Sequence, residues 1–464
     1  MTRKELAALL ARRVARNPLA REIRDLARRM QVPVWLVGGF VRDAALGRPG
    51  RDLDFSAGRG ASRFVARLEQ VLGTSGFRFH KRGVTTWRFH VRGTQLDLVD
   101  ASRRGMDEDL ARRELTINAI AFDLTQRSIL DPLRGLADLR ARRLRLPRPG
   151  VVREDPLRAV RVARFLAELP DFTLHAAARE EARGVAQRLR RAAVERVREE
   201  LDKLLGAAAP QRGLRELQKL DLIDPLLPEL QPMRDCAAGD DRPDVWTHTL
   251  DCLAVSARPL RLPGSHVVKD PASRRILRWA LLLHDISKPE TLRLGPTGAP
   301  SFHGHEVLGS RRAETLLRRL RLPRVDRKRV ERLVLNHLRP GHLADAEMPP
   351  RGVRRLVREA GPDLPLLVLH SACDARASGG PADPKRWRRL RITLERLSEL
   401  AEKRARKPLP RLLDGDLLIE TLGLEPGPRI GRILREVRDA QEAGSVRTRE
   451  AALKLARDLA SVES

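Results

Sequence analysis

The chain of 464 residues has no tyrosine and only 3% aromatic residues. Proteins that grip single strands usually stack bases on rings, so a platform of that kind is excluded. Cysteine is scarce as well: Cys236, Cys252 and Cys373 stand at irregular spacing. They make neither a disulfide framework nor a zinc-ligand pattern, which fits a reducing compartment. No apolar run approaches the ~20 residues that cross a bilayer. The segment from Met1 to Arg16 alternates Leu and Ala with Arg and lacks the apolar stretch of a secretory signal. These absences predict a cytoplasmic protein with no membrane partner. Lysine is the last rarity, at eleven of 91 basic residues. A GC-rich genome would account for Arg in place of Lys, but not for a net charge of +30. That charge points to a polyanionic partner, with phosphate backbones first.

What is present is 42% hydrophobic, enough to bury real cores and to exclude global disorder. The length suits three or four modules. Strand-like segments gather early, at Val32–Val37, Leu53–Ser56, Phe77–Lys81, Thr86–Val91, Gln95–Val99 and Ile120–Asp123, with helical stretches between them. From Asp155 onward nearly everything has helical period, broken by Pro and Gly; Leu294–Pro300 reads as a loop. Boundaries are expected near Pro147–Gly150, Gly239–Pro243 and Gly379–Lys385.

The first chemical constellation is Leu36-Val37-Gly38-Gly39-Phe40-Val41-Arg42-Asp43, followed by Arg51-Asp52-Leu53-Asp54-Phe55. Glycines after a strand let amide N–H groups approach a phosphate. On a strand, Asp52 and Asp54 project from one face, where two carboxylates repel unless a cation lies between them. With divalent metal they form half of a two-metal site for phosphoryl transfer. A lone Asp-x-Asp is more often a turn or solvated edge; the Gly-Gly turn thirteen residues earlier reverses those odds.

This arrangement resembles the nucleotidyltransferase head of the DNA polymerase β superfamily, and more narrowly the tRNA nucleotidyltransferases (CCA-adding enzymes) and bacterial poly(A) polymerases. The resemblance implies a third carboxylate, for which Asp97 is the choice and Asp100 the reserve. Arg112-Arg113-Glu114-Leu115-Thr116-Ile117-Asn118 resembles the family's element contacting the nucleotide ribose and triphosphate, with Glu114 where the family has Asp. Asp131–Leu139 resembles the hinge between head and neck. Glu154-Asp155-Pro156-Leu157-Arg158 opens a helix that also carries Arg161 and Arg164. The family uses the Asp and Arg of this element to read the incoming base. Cytosine and adenine each offer an amino donor beside a ring-nitrogen acceptor, which a carboxylate and a guanidinium can match. The plainer reading is an N-capping Asp155 followed by Pro at the first helical position, and both can hold together. Glu195–Leu205 resembles the neck motif that stabilises this helix.

The second constellation is His248, His284-Asp285, His305, His337 and Asp374, in that order on helical segments. Singly, each histidine reads more often as a satisfied helix-face residue than as a ligand. Together they resemble the HD phosphohydrolase superfamily. That resemblance implies a first metal on His248, His284, Asp285 and Asp374, with His305 and His337 available for a second. Imidazole and carboxylate ligands suit Ni, Mn, Fe or Mg. His303 and Lys288 are candidates for phosphate contacts. Leu413–Leu418 with Gly427–Gly431 resembles the tail module that follows HD in these proteins, for packing or RNA contact.

The expected fold is α+β and multidomain: an N-terminal helix (1–28), a small mixed-sheet nucleotidyltransferase head (29–147), an all-α neck (148–238), an HD domain (239–384) and a helical tail (385–464). The implied function is untemplated addition of C and A to tRNA or other RNA 3′ ends from CTP and ATP. Asp52, Asp54 and Asp97 would hold two Mg²⁺; Gly38, Gly39, Arg42, Arg112, Arg113 and Asn118 would cradle the nucleotide; Asp155, Arg158, Arg161 and Arg164 would face the base. A poly(A) polymerase, or a partial enzyme adding only CC or only A, is the alternative within this chemistry. A phosphohydrolase with a vestigial RNA-holding head is the alternative outside it. Oligomeric state is left open.

Overall fold

The computed structural model describes residues 1–464 except 51–52, 82, 238–243, 260–267, 297, 379–383, 407–409, 411, 443–444 and 462–464. It divides into two compact units, Met1–Pro228 and Glu229–Ser464. Asp52, the Gly239–Pro243 boundary and most of the Gly379–Lys385 boundary lie outside the described residues.

Unit one begins with two helices where one was expected over 1–28, Arg3–Arg16 and Pro18–Met30. Asn17 ends the first and caps the second, accepting from Ala20 N at 3.0 Å, with Pro18 at the first helical position. The head is a seven-stranded mixed sheet: β1 (Val34–Val37), β2 (Leu53–Ala57), β3 (Phe77–Lys81), β4 (Val84–Val91), β5 (Thr94–Asp100), β6 (Ala121–Asp123) and β7 (Ile129–Leu130), in the order β3-β4-β5-β2-β1-β6-β7. Only β2 and β5 run parallel. Alternation puts Leu53, Phe55, Leu96, Leu98, Phe89 and Phe122 inside, each 2% exposed or less. Each strand expected over 30–130 is present within a few residues.

The segment Asp131–Leu139, expected as a hinge, is built on two buried carboxylates. Asp131 accepts from Gly135 N at 2.6 Å and Leu136 N at 3.1 Å. Asp138, 1% exposed, accepts from Thr116 Oγ1 at 2.7 Å, Arg143 Nη2 at 2.8 Å and Arg145 Nε at 2.9 Å. Beyond the hinge, the helix Leu157–Glu168 packs against Val194–Gly206 and Pro210–Lys219. The neck is not wholly helical: Thr173–Leu174 pairs in parallel with Arg143–Leu144.

Unit two is helical apart from a hairpin, Arg293–Leu294 with Pro300–Ser301, that brackets the expected loop. Its helices include Val245–Ser256, Pro271–Leu283, His305–Arg319, Arg324–Asn336 and Leu364–Ala377. In the tail, Asp414 caps its helix, accepting from Leu417 N at 2.9 Å. Leu413, Leu418 and Ile430 of the tail motif are core residues there. Among the described residues, no helix is long and apolar enough to cross a membrane.

Candidate active site and metal centre

β1 ends at Val37 and is followed by Gly38, whose φ of +73° and ψ of −137° are open to glycine but strained for other residues. A Cβ there would stand 3.1 Å from Arg113 Nη1 and 3.1 Å from Asp54 Oδ2. The missing side chain thus keeps a concavity open where carboxylate and guanidinium converge. Arg113 Nε is buried with no hydrogen-bond partner, a donor suited to an anionic ligand. Asp54 pairs in parallel register with Asp97, so the two carboxylates share a face of the sheet. Asp100 pairs with Ala57, three positions further and on the other face, and accepts from Ser102 N at 2.9 Å. Asp97 rather than Asp100 therefore stands beside Asp54. Its two oxygens accept from Arg88 Nε at 2.8 Å and Nη2 at 2.7 Å.

Arg42 donates to Asp43 Oδ1 at 2.8 Å and to Asn118 Oδ1 at 3.0 Å, with its guanidinium 5.4 Å from the Phe165 ring centre. Asn118 donates onward to Glu114 Oε1 at 3.0 Å. Burial pushes the Glu114 carboxyl up, but Arg161, Arg164 and Arg113, with its own backbone N–H, outweigh this and hold it below its ordinary value. The longer acid at this position thus stays ionised within the arginine cluster. Arg112 contributes its carbonyl, which accepts from Arg158 Nη2 at 2.6 Å.

The residues expected to read the base stand together at the entrance of the helix Leu157–Glu168. Pro156, not Asp155, occupies the N-cap position, and Asp155 has extended backbone. Its carboxylate accepts from Arg196 Nη2 at 2.8 Å. Arg158 also donates to Val151 O at 2.9 Å. Arg161 and Arg164 turn instead to Glu200, with Nε atoms 2.9 Å and 2.8 Å from its two oxygens. A cavity of about 720 Å³ opens beside Asp155, lined also by Arg188, Arg190, Arg191 and Arg196.

In unit two the expected ligands converge. His284, His305 and His337 each direct Nδ1 to a carbonyl three residues back, at 2.9 Å, 2.7 Å and 2.7 Å. This leaves Nε2 as the ligand atom in all three. His248 Nε2 lies 3.0 Å from Asp374 Oδ1. Asp285 stands between two groups: Oδ2 is 3.2 Å from His284 Nε2 and 3.8 Å from His248 Nε2, while Oδ1 is 3.4 Å from His305 Nε2 and 4.0 Å from His337 Nε2. His284 Nε2 is buried without a hydrogen bond, so a cation fits this donor set.

Burial pushes the Asp285 carboxyl up, but the adjacent His284 and Lys288 charges hold it well below its usual range. Burial pulls His337 down to about 3, keeping it neutral and able to ligate at neutral pH. Lys288 Nζ is 2.9 Å from Asp285 Oδ2 and lies 5.0 Å from the Phe302 ring centre; His303 is exposed.

Residues outside the expected set also belong here. Arg88 and Arg196 clamp the expected carboxylates, and Glu200 clamps two expected arginines. Cys252, four residues after His248, joins His248, His284 and Asp374 in one group of possible metal ligands; Asp285, His305 and His337 form the other. His370, four before Asp374, is fully buried with its ring centre 5.2 Å from that of His284. The i, i+4 spacing was the available signal for both Cys252 and His370.

Paired sheet carboxylates with an arginine-rich helix behind them, and a separate histidine–aspartate cluster on a helical core, define a nucleotidyltransferase head joined to an HD domain. Comparison agrees: residues 34–145 match the Poly A polymerase head domain, 171–234 the probable RNA and SrmB-binding site of polymerase A, and 245–375 the HD domain. The chain is 36% identical to an A-adding tRNA nucleotidyltransferase of Deinococcus radiodurans, covering 89% of this chain and 92% of that one. It is 33% identical to a CC-adding tRNA nucleotidyltransferase of Thermus thermophilus over 90% and 91% of the two chains. It is 30% identical to a Multifunctional CCA protein of Stenotrophomonas maltophilia, over 87% and 98%. Among solved structures, the Thermotoga maritima CCA-adding enzyme complexed with tRNA shares the fold at TM-score 0.58 and 18% identity, covering 97% of this chain and 96% of that one. The chain belongs to the tRNA nucleotidyltransferase family and is an enzyme of the nucleotidyltransferase class.

Proposed function

We propose that this enzyme adds C and A to tRNA 3′ ends from CTP and ATP in the cytoplasm, with Asp52, Asp54 and Asp97 as its metal carboxylates. The observation that carries the reading is Asp54 in register with Asp97, beside the Gly38 concavity and Arg113. Two Mg²⁺ held by these carboxylates would activate the RNA 3′-hydroxyl and stabilise the pyrophosphate leaving group. Gly38, Gly39, Arg42, Arg112, Arg113 and Asn118 bind the triphosphate and ribose, since guanidiniums fork onto phosphate oxygens. Asp155 accepts from the base amino group and Arg158 donates to the ring nitrogen, with Arg161 and Arg164 behind them. Uracil and guanine leave these partners unpaired, at a cost of about 1–3 kcal/mol per group. Function divides along the chain as head to 147, neck to 238, HD domain to 384 and tail beyond.

A second reading, addition of A alone, is favoured by the higher identity to the A-adding relative than to the multifunctional one. Transcripts ending before CCA, before CA and before A, each incubated with CTP or ATP alone, separate the two. Extension of all three in order supports C and A addition; extension only of the last by ATP supports the second reading. Incorporation that survives Asp54→Ala sinks the site assignment. For the HD cluster we propose metal-dependent phosphoester hydrolysis on His248, His284, Asp285, His305, His337 and Asp374, with Ni, Mn, Fe or Mg as the metal. Chelator-sensitive cleavage of a 2′,3′-cyclic phosphate should be lost in His284→Ala and kept in Asp54→Ala; cleavage unaffected by His284→Ala overturns it.

A further inference from the structure

We propose that Cys252 is itself a ligand of the first HD metal, so that this site takes a borderline divalent transition ion (iron, cobalt, nickel or zinc) and discriminates against magnesium. The proposal rests on the reading of this cluster as a metal centre and names its donor set and metal class.

Cys252 stands one helical turn after His248 on Val245–Ser256, so both project from the same side of that helix. Its Sγ is 3.4 Å from His248 Nε2. The ligand atoms of His248, Cys252, His284 and Asp374 all lie within 4.8 Å of one another. A tetrahedral metal with bonds of about 2.3 Å to sulfur and about 2.05 Å to nitrogen separates those two atoms by about 3.5 Å. The observed spacing is therefore that of two ligands on one ion. His248 Nε2 also lies 3.0 Å from Asp374 Oδ1. A cation bound by all three atoms would satisfy them together. Independently of the thiol, His284 Nε2 is buried in the same place with no hydrogen bond.

Thiolate is a soft ligand that hard magnesium binds poorly, while iron, cobalt, nickel and zinc accept it readily. The neighbouring group of Asp285, His305 and His337 has no sulfur. The two halves of the centre are thus chemically unequal, with Asp285 between them.

The test uses the full chain, stripped with a chelator and titrated with Co(II). The first equivalent should bring up a thiolate-to-cobalt charge-transfer band in the near ultraviolet. Cys252→Ser should lose that band and bind Co(II) roughly tenfold more weakly or worse, while Cys373→Ser keeps both. Magnesium in large excess should not displace the bound cobalt. Cobalt bound to wild type without the band overturns the proposal while leaving the metal centre standing, and that spectrum decides even if Cys252→Ser does not fold. A band that persists in Cys252→Ser, or cobalt displaced by magnesium, also overturns it. Failure to bind Co(II) in a manner sensitive to His284→Ala overturns both the proposal and the reading beneath it.

Discussion

Glu200 offers the sharpest test of how the helix Leu157–Glu168 is held. It is 3% exposed, accepts from Arg161 Nε at 2.9 Å and stands 2.8 Å from Arg164 Nε. Glu200→Gln keeps the shape and one acceptor but removes the charge, and the new amide NH₂ faces a guanidinium that can only donate. A hydrogen bond to a charged group contributes about 1.5–3 kcal/mol, and breaking a buried ion pair costs about 3–5 kcal/mol. The Arg161 side chain is 31% exposed, and Glu114 shares the field of both arginines, which places the expected loss at the lower end. About 3 kcal/mol over a unit of this size lowers its melting temperature by roughly 6–12 °C. The same helix start carries Asp155 and Arg158, so kcat/KM for CTP and ATP should fall along with stability. Calorimetry and nucleotide incorporation on one preparation measure both. A variant that melts within a degree or two of wild type, with unchanged kcat/KM, refutes the claim that this pair of ion contacts positions the helix.

Three further outcomes are expected. In Gly135→Ala, the added Cβ would stand 2.2 Å from Thr116 O and 2.8 Å from Ile120 Cγ1, so the hinge must spread; the cost should be about 3 kcal/mol, read from the denaturant midpoint. Burial pushes the Asp138 carboxyl up, but Thr116, Arg143 and Arg145 outweigh it and hold it below its ordinary value. Its contribution is therefore full above the unfolded carboxylate value and drains as pH falls through the depressed folded one, so the stability gap between wild type and Asp138→Asn should close on acidification; a gap constant down to pH 2 contradicts the pairing. Gly38→Ala, with its added Cβ 3.1 Å from Asp54 and Arg113 atoms, should cost roughly 1 kcal/mol of stability but cut CTP and ATP incorporation more than tenfold, and full activity would remove the argument for a glycine-lined cradle.

Much of the fold was readable because it rests on local signals. Alternating apolar residues located β1 to β6, and Pro or Gly marked most helix ends. The split of the first helix was equally visible in Asn17-Pro18, a capping residue followed by proline. What local pattern could not supply was partnership across the chain. Arg88 meets Asp97 because β4 and β5 pair in that register, and Arg196 meets Asp155 across 41 residues. Neither follows from spacing. The HD ligands were legible as an ordered set of histidines and aspartates, but the placement of Asp285 between two groups depends on how several helices converge. Cys252 and His370 were hidden for a different reason: each stands one turn from a recognised ligand and completes no motif of its own.

The arginine excess acquires a more specific meaning from these contacts. In unit one, Asp97 holds Arg88, Asp155 holds Arg196, and Glu200 holds both Arg161 and Arg164. These four of the 91 basic residues are therefore held against acidic partners, and the net +30 is the excess that remains after all such acids are counted. A cation that takes Asp97, or a base that takes Asp155, must compete with a guanidinium already in place. Each such exchange gives up a charge-assisted hydrogen bond of about 1.5–3 kcal/mol before the ligand gains its own.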